Sequence, residues 1–102
     1  MKPRSKSRVP VNYRVSFSGD KGTGKGVLTD LAIGGGQIET DVRFDVGEHL
    51  RLQVELSGAR EPIVIELAVI RWKEKDRFGL EFIRFEAQTK QHLQDMLNQR
   101  DG

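Results

Sequence analysis

The stretch VNYRVSF (residues 11–17) alternates apolar and polar side chains along its whole length. Successive side chains of a β-strand point to opposite faces, so Val11, Tyr13, Val15 and Phe17 would share one buried face. The stretch LRLQVEL (residues 50–56) alternates in the same way. Both stretches therefore predict strands that present one face to a core and the other to solvent.

Four further segments fit short strands, and turn residues separate them. The predicted strands cover residues 26–31, 36–40, 63–72 and 78–83, and the predicted turns cover residues 19–24 and 57–62. After Phe85 the apolar spacing becomes helical, which predicts a helix over residues 87–99 with Leu93, Met96 and Leu97 on one side. Short strands joined by turns that contain Gly and Asp are typical of a small barrel. We therefore expect an all-β fold, a six-stranded antiparallel β-barrel with a C-terminal α-helix.

The composition predicts one domain and is compatible with a reducing compartment, and we expect a cytoplasmic protein. The chain has 102 residues and 36% hydrophobic content, which is enough for a single core. It has no cysteine, so we expect neither a disulfide framework nor a thiol-based zinc site. The residues after Met1 are charged and the apolar runs are short, so we expect no signal peptide and no membrane span.

The positive charge is concentrated at the start of the chain. The formal net charge is only +2, yet the first nineteen residues contain no acid and five basic residues, Lys2, Arg4, Lys6, Arg8 and Arg14. Such an asymmetry commonly marks a segment that meets an anion, although a solvated terminus is the plainer alternative. We expect a basic N-terminal arm over residues 1–10, followed by the barrel and helix over residues 11–102.

Two short motifs frame the predicted first hairpin. Arg4-Ser-Lys-Ser-Arg8 places two arginines four residues apart, and Asp30-Leu-Ala-Ile-Gly-Gly35 opens a short glycine run. The order RxxxR, strand, then [D/N]xSxxG resembles the PilZ domain family, whose members receive the second messenger cyclic di-GMP. The resemblance also implies a six-stranded barrel with a final helix, and it extends to FGLEF at residues 78–82. It assigns Arg4, Arg8, Asp30, Ala32, Gly34, Gly35 and Gly36 to a cyclic di-GMP site.

The residue types suit a guanine and phosphate site. An arginine guanidinium can donate two parallel hydrogen bonds to guanine O6 and N7, and its flat face can stack on a base. The carboxylate of Asp30 can accept from the opposite guanine edge, and the glycines allow positive φ and close approach to a ligand. Ala32 stands where the family usually has serine, so one hydroxyl donor is missing. A neutral hydrogen bond is worth about 0.5–1.5 kcal/mol, so its loss affects the affinity for the ligand more than the assignment of the site.

Each motif also has a plainer interpretation. RxxxR occurs in many basic tails, and the second motif by itself could be a strand that ends in a turn capped by Asp30. Trp72 is expected to cap the barrel core, with an aromatic face near the ligand as the alternative. Arg71 either extends the basic surface around the site or is an ordinary exposed strand-end arginine. His49 and His92 lack the spacing of a metal or triad site and are expected on the surface.

The resemblance implies a receptor that signals to an unidentified effector protein in motility, exopolysaccharide or biofilm control. A PilZ domain that acts only through protein partners is one alternative. Another is a barrel that binds RNA or single-stranded nucleic acid, but its aromatic residues Tyr13, Phe17, Phe78 and Phe82 all sit in the apolar register. Asp41, Asp45 and His49 have no spacing that suggests catalysis. We therefore expect neither an enzyme nor a nucleic-acid binder, and no cofactor beyond the ligand.

Overall fold

The computed structural model describes residues 8–56 and 61–101, so Arg4 and most of the arm lie outside the described residues. The described part forms six strands and one helix, namely β1 (Val9–Gly19), β2 (Gly22–Ala32), β3 (Gly35–Glu39), β4 (His49–Val54), β5 (Ile63–Glu74), β6 (Arg77–Phe85) and α1 (Thr89–Asp101). The strands form a closed barrel in the order β1-β2-β3-β6-β5-β4, and all neighbours are antiparallel. This confirms the predicted six-stranded antiparallel barrel with a C-terminal helix.

The core fills the barrel with the apolar faces that the sequence alternation predicted. Val15, Phe17, Leu52 and Val54 are all buried, and β1 pairs with β4 to close the barrel. Phe44, from the loop before β4, packs edge-to-face against Phe17 and Phe78 with ring centroids 5.2 and 5.4 Å away. Each of these rings removes a large apolar area from water, which adds to the burial of the aliphatic side chains around them.

The hairpin between β1 and β2 is longer than the sequence indicated. The turn comprises only Asp20 and Lys21, whereas residues 19–24 were all expected to be turn. The reason is that the glycines have two different roles: Gly22 takes a positive φ of 120° after the turn, but Gly24 lies in the strand opposite Phe17. A Cβ at Gly24 would lie 2.6 Å from Phe17 Cε1, so this glycine makes room for a core ring.

The helix begins at Thr89, two residues later than predicted, and packs against the barrel through a narrow stripe. Leu93 and Leu97 are buried in the same core cluster as the strand side chains. Tyr13 on β1 donates its hydroxyl to Met96 Sδ at 3.8 Å. This tertiary packing stabilises a helix that has a weak apolar face of its own. Across the described ranges, the chain has no helix that is long and apolar enough to cross a membrane.

The barrel has two ends with different loops. The turn at residues 33–34 joins β2 to β3, and we call this the glycine-turn end. The opposite end carries the turn at residues 20–21 between β1 and β2, the turn at residues 75–76 between β5 and β6, and the loop at residues 40–48 between β3 and β4. We call this the distal end. A hydrogen bond from Thr40 N to Asp76 O, 3.0 Å long, ties the loop to the second turn. Arg8, just before β1, and the second motif, where β2 ends, both lie at the glycine-turn end.

Candidate functional site

A β-bulge near the end of β2 sets the direction of Asp30. Against β3, β2 has an extra residue between Leu28 and Asp30, and at the same level β1 has an extra residue between Pro10 and Tyr13. As a result, Leu28 and Leu31 are both buried although two residues separate them. Asp30 is consequently directed to the outside of the barrel, opposite Pro10 on β1. Bulges commonly re-aim side chains in this way near functional sites.

Arg8 is held beside this carboxylate by the start of β1. Val9 pairs with Leu31 across the sheet, so the residue before Val9 lies next to the end of β2. Arg8 Nη1 donates to Asp30 Oδ2 at 2.9 Å, and the side chains remain 54% and 26% exposed. Exposed pairs of this kind contribute little to stability, about 0–1 kcal/mol. The structure therefore joins the two motifs by an ion pair that an incoming ligand can exchange at small cost.

A cavity of about 280 Å³ opens beside this pair on the outer face of the barrel. We call it the arginine cavity, and it is lined by Arg8, Ala32, Gly34, Gly35, Arg71, Trp72, Gly79, Leu80 and Glu81. Four predicted site residues, Arg8, Ala32, Gly34 and Gly35, are thus brought together. Asp30 adjoins the cavity through its bond to Arg8. The volume is at the small end for ligand sites, so a dinucleotide would extend over the rim.

The three glycines of the run contribute close approach of the backbone. None of Gly34, Gly35 and Gly36 has a positive φ, so the left-handed conformation that glycine allows is not used here. Gly35 lies so close to β6 that a Cβ would collide with the carbonyl oxygen of Leu80. At Gly36 a Cβ would face the core side chains Leu28 and Phe82 and lie 2.7 Å from Asp30 O, so Gly36 does not line the cavity. Gly35 and Gly36 thus allow the neighbouring strands to approach closely. Gly34 and Gly35 also leave the floor of the cavity without side chains.

Trp72 lies on the outside of the barrel and does not cap the core, which corrects the expectation from the sequence. Trp72 is 41% exposed and lines the arginine cavity. Trp72 pairs with Gly79 across β5 and β6, and a Cβ at Gly79 would collide with the indole Nε1. The indole therefore lies flat over the bare backbone of Gly79, as cross-strand aromatic–glycine pairs do. This placement leaves an aromatic face available inside the cavity.

Arg71 is the second cation of the cavity. Its Nε donates to Glu81 Oε1 across β5 and β6 at 2.6 Å, and both side chains are about half exposed. Arg71 thus lies on the wall of the cavity as an exposed arginine towards the end of β5, paired with Glu81. The cavity combines two arginines, an indole face and a floor of glycine backbone. Together these groups can hold a flat heteroaromatic ring next to an anionic group.

The titratable groups with shifted pKa values lie at the other end of the barrel. The Lys21 ammonium sits between Glu48 and Asp45, at 3.1 and 3.3 Å, and these hydrogen bonds raise its pKa. The hydrogen bond from Lys21 lowers the pKa of Asp45, and the backbone N–H of Asp45 lowers the pKa of Glu48. Lys73 adds a contact of 3.6 Å to Asp45. We call Lys21, Asp45, Glu48 and Lys73 the distal ion network.

The histidines have the surface positions that were expected, since His49 and His92 are both exposed. Asp45, which was considered for catalysis, is engaged in the distal ion network. Among residues 8–56 and 61–101, no cluster of three or more His, Cys, Asp or Glu residues is arranged to hold a metal ion.

Three lining residues had no assigned role in the sequence prediction: Gly79, Leu80 and Glu81. They belong to β6, which pairs with β3 so that Glu81 lies opposite Gly35. The alternation along FGLEF places Gly79 and Glu81 on the outer face, and this signal was available in the sequence. The sequence could not show that β3 lies beside this strand, because β3 and β6 are far apart in the chain and their pairing has no local signature.

Comparison with known proteins adds a family and a fold. The family model of the PilZ domain matches residues 2–99 of the chain. No curated protein sequence matches. The structure of the inhibitor of motility MotI/DgrA from Bacillus subtilis is similar, with a TM-score of 0.79 and 22% identity over 99% of this chain. The chain spans about half of that protein, 52% of its length.

Two further solved structures share the fold. The PilZ domain of YcgR from Escherichia coli, solved with c-di-GMP, matches 98% of this chain and 92% of its own length, with a TM-score of 0.76 and 15% identity. The PilZ domain of CeSA from a cellulose-synthesizing bacterium matches 94% of this chain and 99% of its own length, with a TM-score of 0.70 and 17% identity. At these identities the similarity concerns the fold.

Proposed function

Because the chain belongs to the PilZ domain family, we propose that it is a receptor for cyclic di-GMP and that the ligand binds in the arginine cavity. The observation that carries the proposal is the convergence of Arg8, Ala32, Gly34 and Gly35 on one cavity, next to the exposed face of Trp72. The similar PilZ domain of YcgR was solved with this ligand, which supports the choice of nucleotide.

Each side chain around the cavity contacts a different part of the ligand in this proposal. Arg8 donates to guanine O6 and N7 or to a phosphate, and Asp30 accepts from the opposite guanine edge. These are separate edges, so the two residues can hold one base once their mutual bond of 2.9 Å is exchanged. Trp72 stacks on a base, and Arg71 meets a phosphate. The pair Arg8 and Asp30 together would select guanine over adenine.

The basic arm completes the site in this proposal. Arg4 lies four residues before Arg8, and the segment between them is polar and basic. Binding of Arg4 and Arg8 to the same ligand would fix the position of the arm against the barrel, at an ordering cost that the ligand contacts offset. Amide relaxation of residues 2–8, measured with and without cyclic di-GMP, tests this step. Identical relaxation in both states would contradict it.

The output is contact with a separate effector protein, since a receptor changes the surface it presents and performs no reaction. The similar structure of MotI is that of an inhibitor of motility, which makes motility the first process to test, with exopolysaccharide and biofilm control as further ones. We place this signalling in the cytoplasm. The effector would recognise the arm in its ligand-bound position on the barrel.

A thermal-shift panel followed by titration calorimetry tests the proposal. The panel contains cyclic di-GMP, linear GMP, cyclic di-AMP and a short RNA, because a ligand that prefers the native state raises the melting temperature. We expect a clear shift with cyclic di-GMP and weaker shifts with the other three. A larger shift with RNA would favour the nucleic-acid barrel. Absence of any shift or binding heat would favour a domain that acts only through protein partners.

A further inference from the structure

Glu81 lies in the wall of the arginine cavity as an acid among its arginines. It lies on β6 opposite Gly35 of β3, and its side chain is 49% exposed. The charged residues of the cavity lining are Arg8, Arg71 and Glu81, so Glu81 is its acid. Its Oε1 accepts from Arg71 Nε at 2.6 Å, while Asp30 accepts from Arg8 at 2.9 Å. Both arginines of the cavity are therefore paired with carboxylates.

The two carboxylates would face different parts of a guanine nucleotide, Asp30 the base and Glu81 a phosphate. Asp30 lies just outside the cavity lining, beside Arg8, where it can accept from the donor edge of a base. Glu81 lies within the lining and is bonded to the cation that would otherwise meet a phosphate. A phosphate that approaches Arg71 meets the like charge of Glu81 a few ångströms away. At such a separation the repulsion between two unit charges at a protein surface is large enough to change a binding constant several-fold.

We infer that Glu81 is a built-in counter-anion that competes with the ligand phosphates for Arg71 and so sets the affinity of the site. This inference rests on the proposed function. Glu81 would thus hold the receptor at a weaker affinity than its arginines alone allow, and removal of its charge would tighten cyclic di-GMP binding. We expect Glu81→Gln to lower the dissociation constant about three- to tenfold.

Two other roles of Glu81 make different predictions. If it only positions Arg71, then Glu81→Gln keeps an acceptor for Nε and leaves affinity unchanged, whereas Glu81→Ala weakens binding. If Glu81 itself reads the donor edge of guanine, both substitutions weaken binding, because the carboxylate is lost. A competing counter-anion requires the opposite result, with tighter binding in both variants. The Gln and Ala variants together therefore separate the three roles.

The matched control is another arginine–glutamate pair that joins β5 and β6. Arg84 Nε donates to Glu66 Oε1 at 3.1 Å, with similar exposure, and neither residue lines the arginine cavity. Glu66→Gln removes the same charge from the same two strands. We expect it to leave the dissociation constant within about twofold of the unmodified protein, because exposed charges at a distance are screened.

The experiment is titration calorimetry with cyclic di-GMP on the unmodified chain, on Glu81→Gln, Glu81→Ala and Glu66→Gln, and on Arg71→Gln with and without Glu81→Gln. We expect both Glu81 variants to bind more tightly, the gain to shrink as salt is added, and the gain to vanish without Arg71. Unchanged or weaker binding in Glu81→Gln, while the unmodified chain binds, would overturn the inference and leave the proposed function intact. Absence of binding in every form would overturn both.

Discussion

The arginine cavity and the distal end of the barrel both concentrate charge, but they arrange it differently. In the distal ion network Lys21 contacts two carboxylates, and Asp45 contacts two lysines. In the arginine cavity each arginine has one carboxylate partner, and an exposed indole lies beside them. The distal end also has a cavity, lined by Lys21, Arg43, Phe44, Asp45, Lys73, Lys75 and Phe78. It is larger than the arginine cavity, about 390 Å³ against about 280 Å³.

The difference indicates which charges are available to a ligand. Charges in a network stabilise one another, so a ligand that binds one of them disturbs several contacts at once. An isolated exposed pair is worth about 0–1 kcal/mol and can exchange its carboxylate for a phosphate or a base edge. The smaller cavity is therefore the better candidate site, and its aromatic face supplies contact area that the buried rings of Phe44 and Phe78 cannot.

The strongest test of this contrast removes one cation from each end. Arg8→Ala should weaken cyclic di-GMP binding on the order of a hundredfold, since it removes charge-assisted hydrogen bonds to the ligand. Thermal unfolding should change little, because the Arg8–Asp30 pair is exposed. Lys21→Ala is the matched control and should retain full affinity by calorimetry. Wild-type affinity in Arg8→Ala would exclude the proposed site.

Removal of the indole should have the next largest effect. Trp72→Ala should weaken binding on the order of tenfold, because stacking of a base on an aromatic side chain is worth about 1–3 kcal/mol. Trp72→Phe should retain most of the affinity. The chain contains a single tryptophan, so a ligand-dependent change of its fluorescence in the unmodified protein reports directly on this face. Equal affinity of the Ala variant and the unmodified chain would mean that the ligand lies elsewhere in the cavity.

Much of this contrast was visible in the sequence, and the remainder depends on long-range pairing. The alternation in residues 11–17 and 50–56 predicted buried faces, and the two motifs predicted Arg8, Ala32 and the glycine turn as neighbours. Trp72 was expected to cap the barrel core, with an aromatic face near the ligand as the alternative. Only the pairing of β5 with β6 shows that it covers Gly79 instead. The bulge that turns Asp30 outward likewise depends on both neighbours of β2.

A hydroxyl group added at Ala32 should tighten ligand binding, by less than the loss of Arg8 or Trp72 weakens it. Ala32 lines the arginine cavity, and serine adds only one oxygen. We expect Ala32→Ser to tighten cyclic di-GMP binding a few-fold, in line with about 0.5–1.5 kcal/mol for one hydrogen bond. Dissociation constants should be compared at one salt concentration, because phosphate contacts depend on ionic strength. Weaker or equal binding would remove Ala32 from the set of ligand contacts.

The distal ion network should affect stability alone, and only slightly. The pKa values of Asp45 and Glu48 are lowered from 3.8 and 4.5, so their stabilising contribution is present above these values and is lost as pH falls through the lowered ones. Lys21→Gln should therefore lower the melting temperature by a few degrees at most at neutral pH. The difference from the unmodified chain should vanish in acid. An equal difference at all pH values would show that the contribution is not electrostatic.

The most direct test of the central claim is amide NMR of the labelled chain during titration with cyclic di-GMP. It compares the two ends of the barrel in a single sample. The account predicts that the largest shift changes occur around the arginine cavity, at Arg8, Ala32, Gly35, Glu81 and the indole N–H of Trp72. Signals of the distal ion network, from Lys21, Asp45 and Glu48, should stay in place. Larger changes at the distal end than around the cavity, or no changes at saturating ligand, would contradict the account.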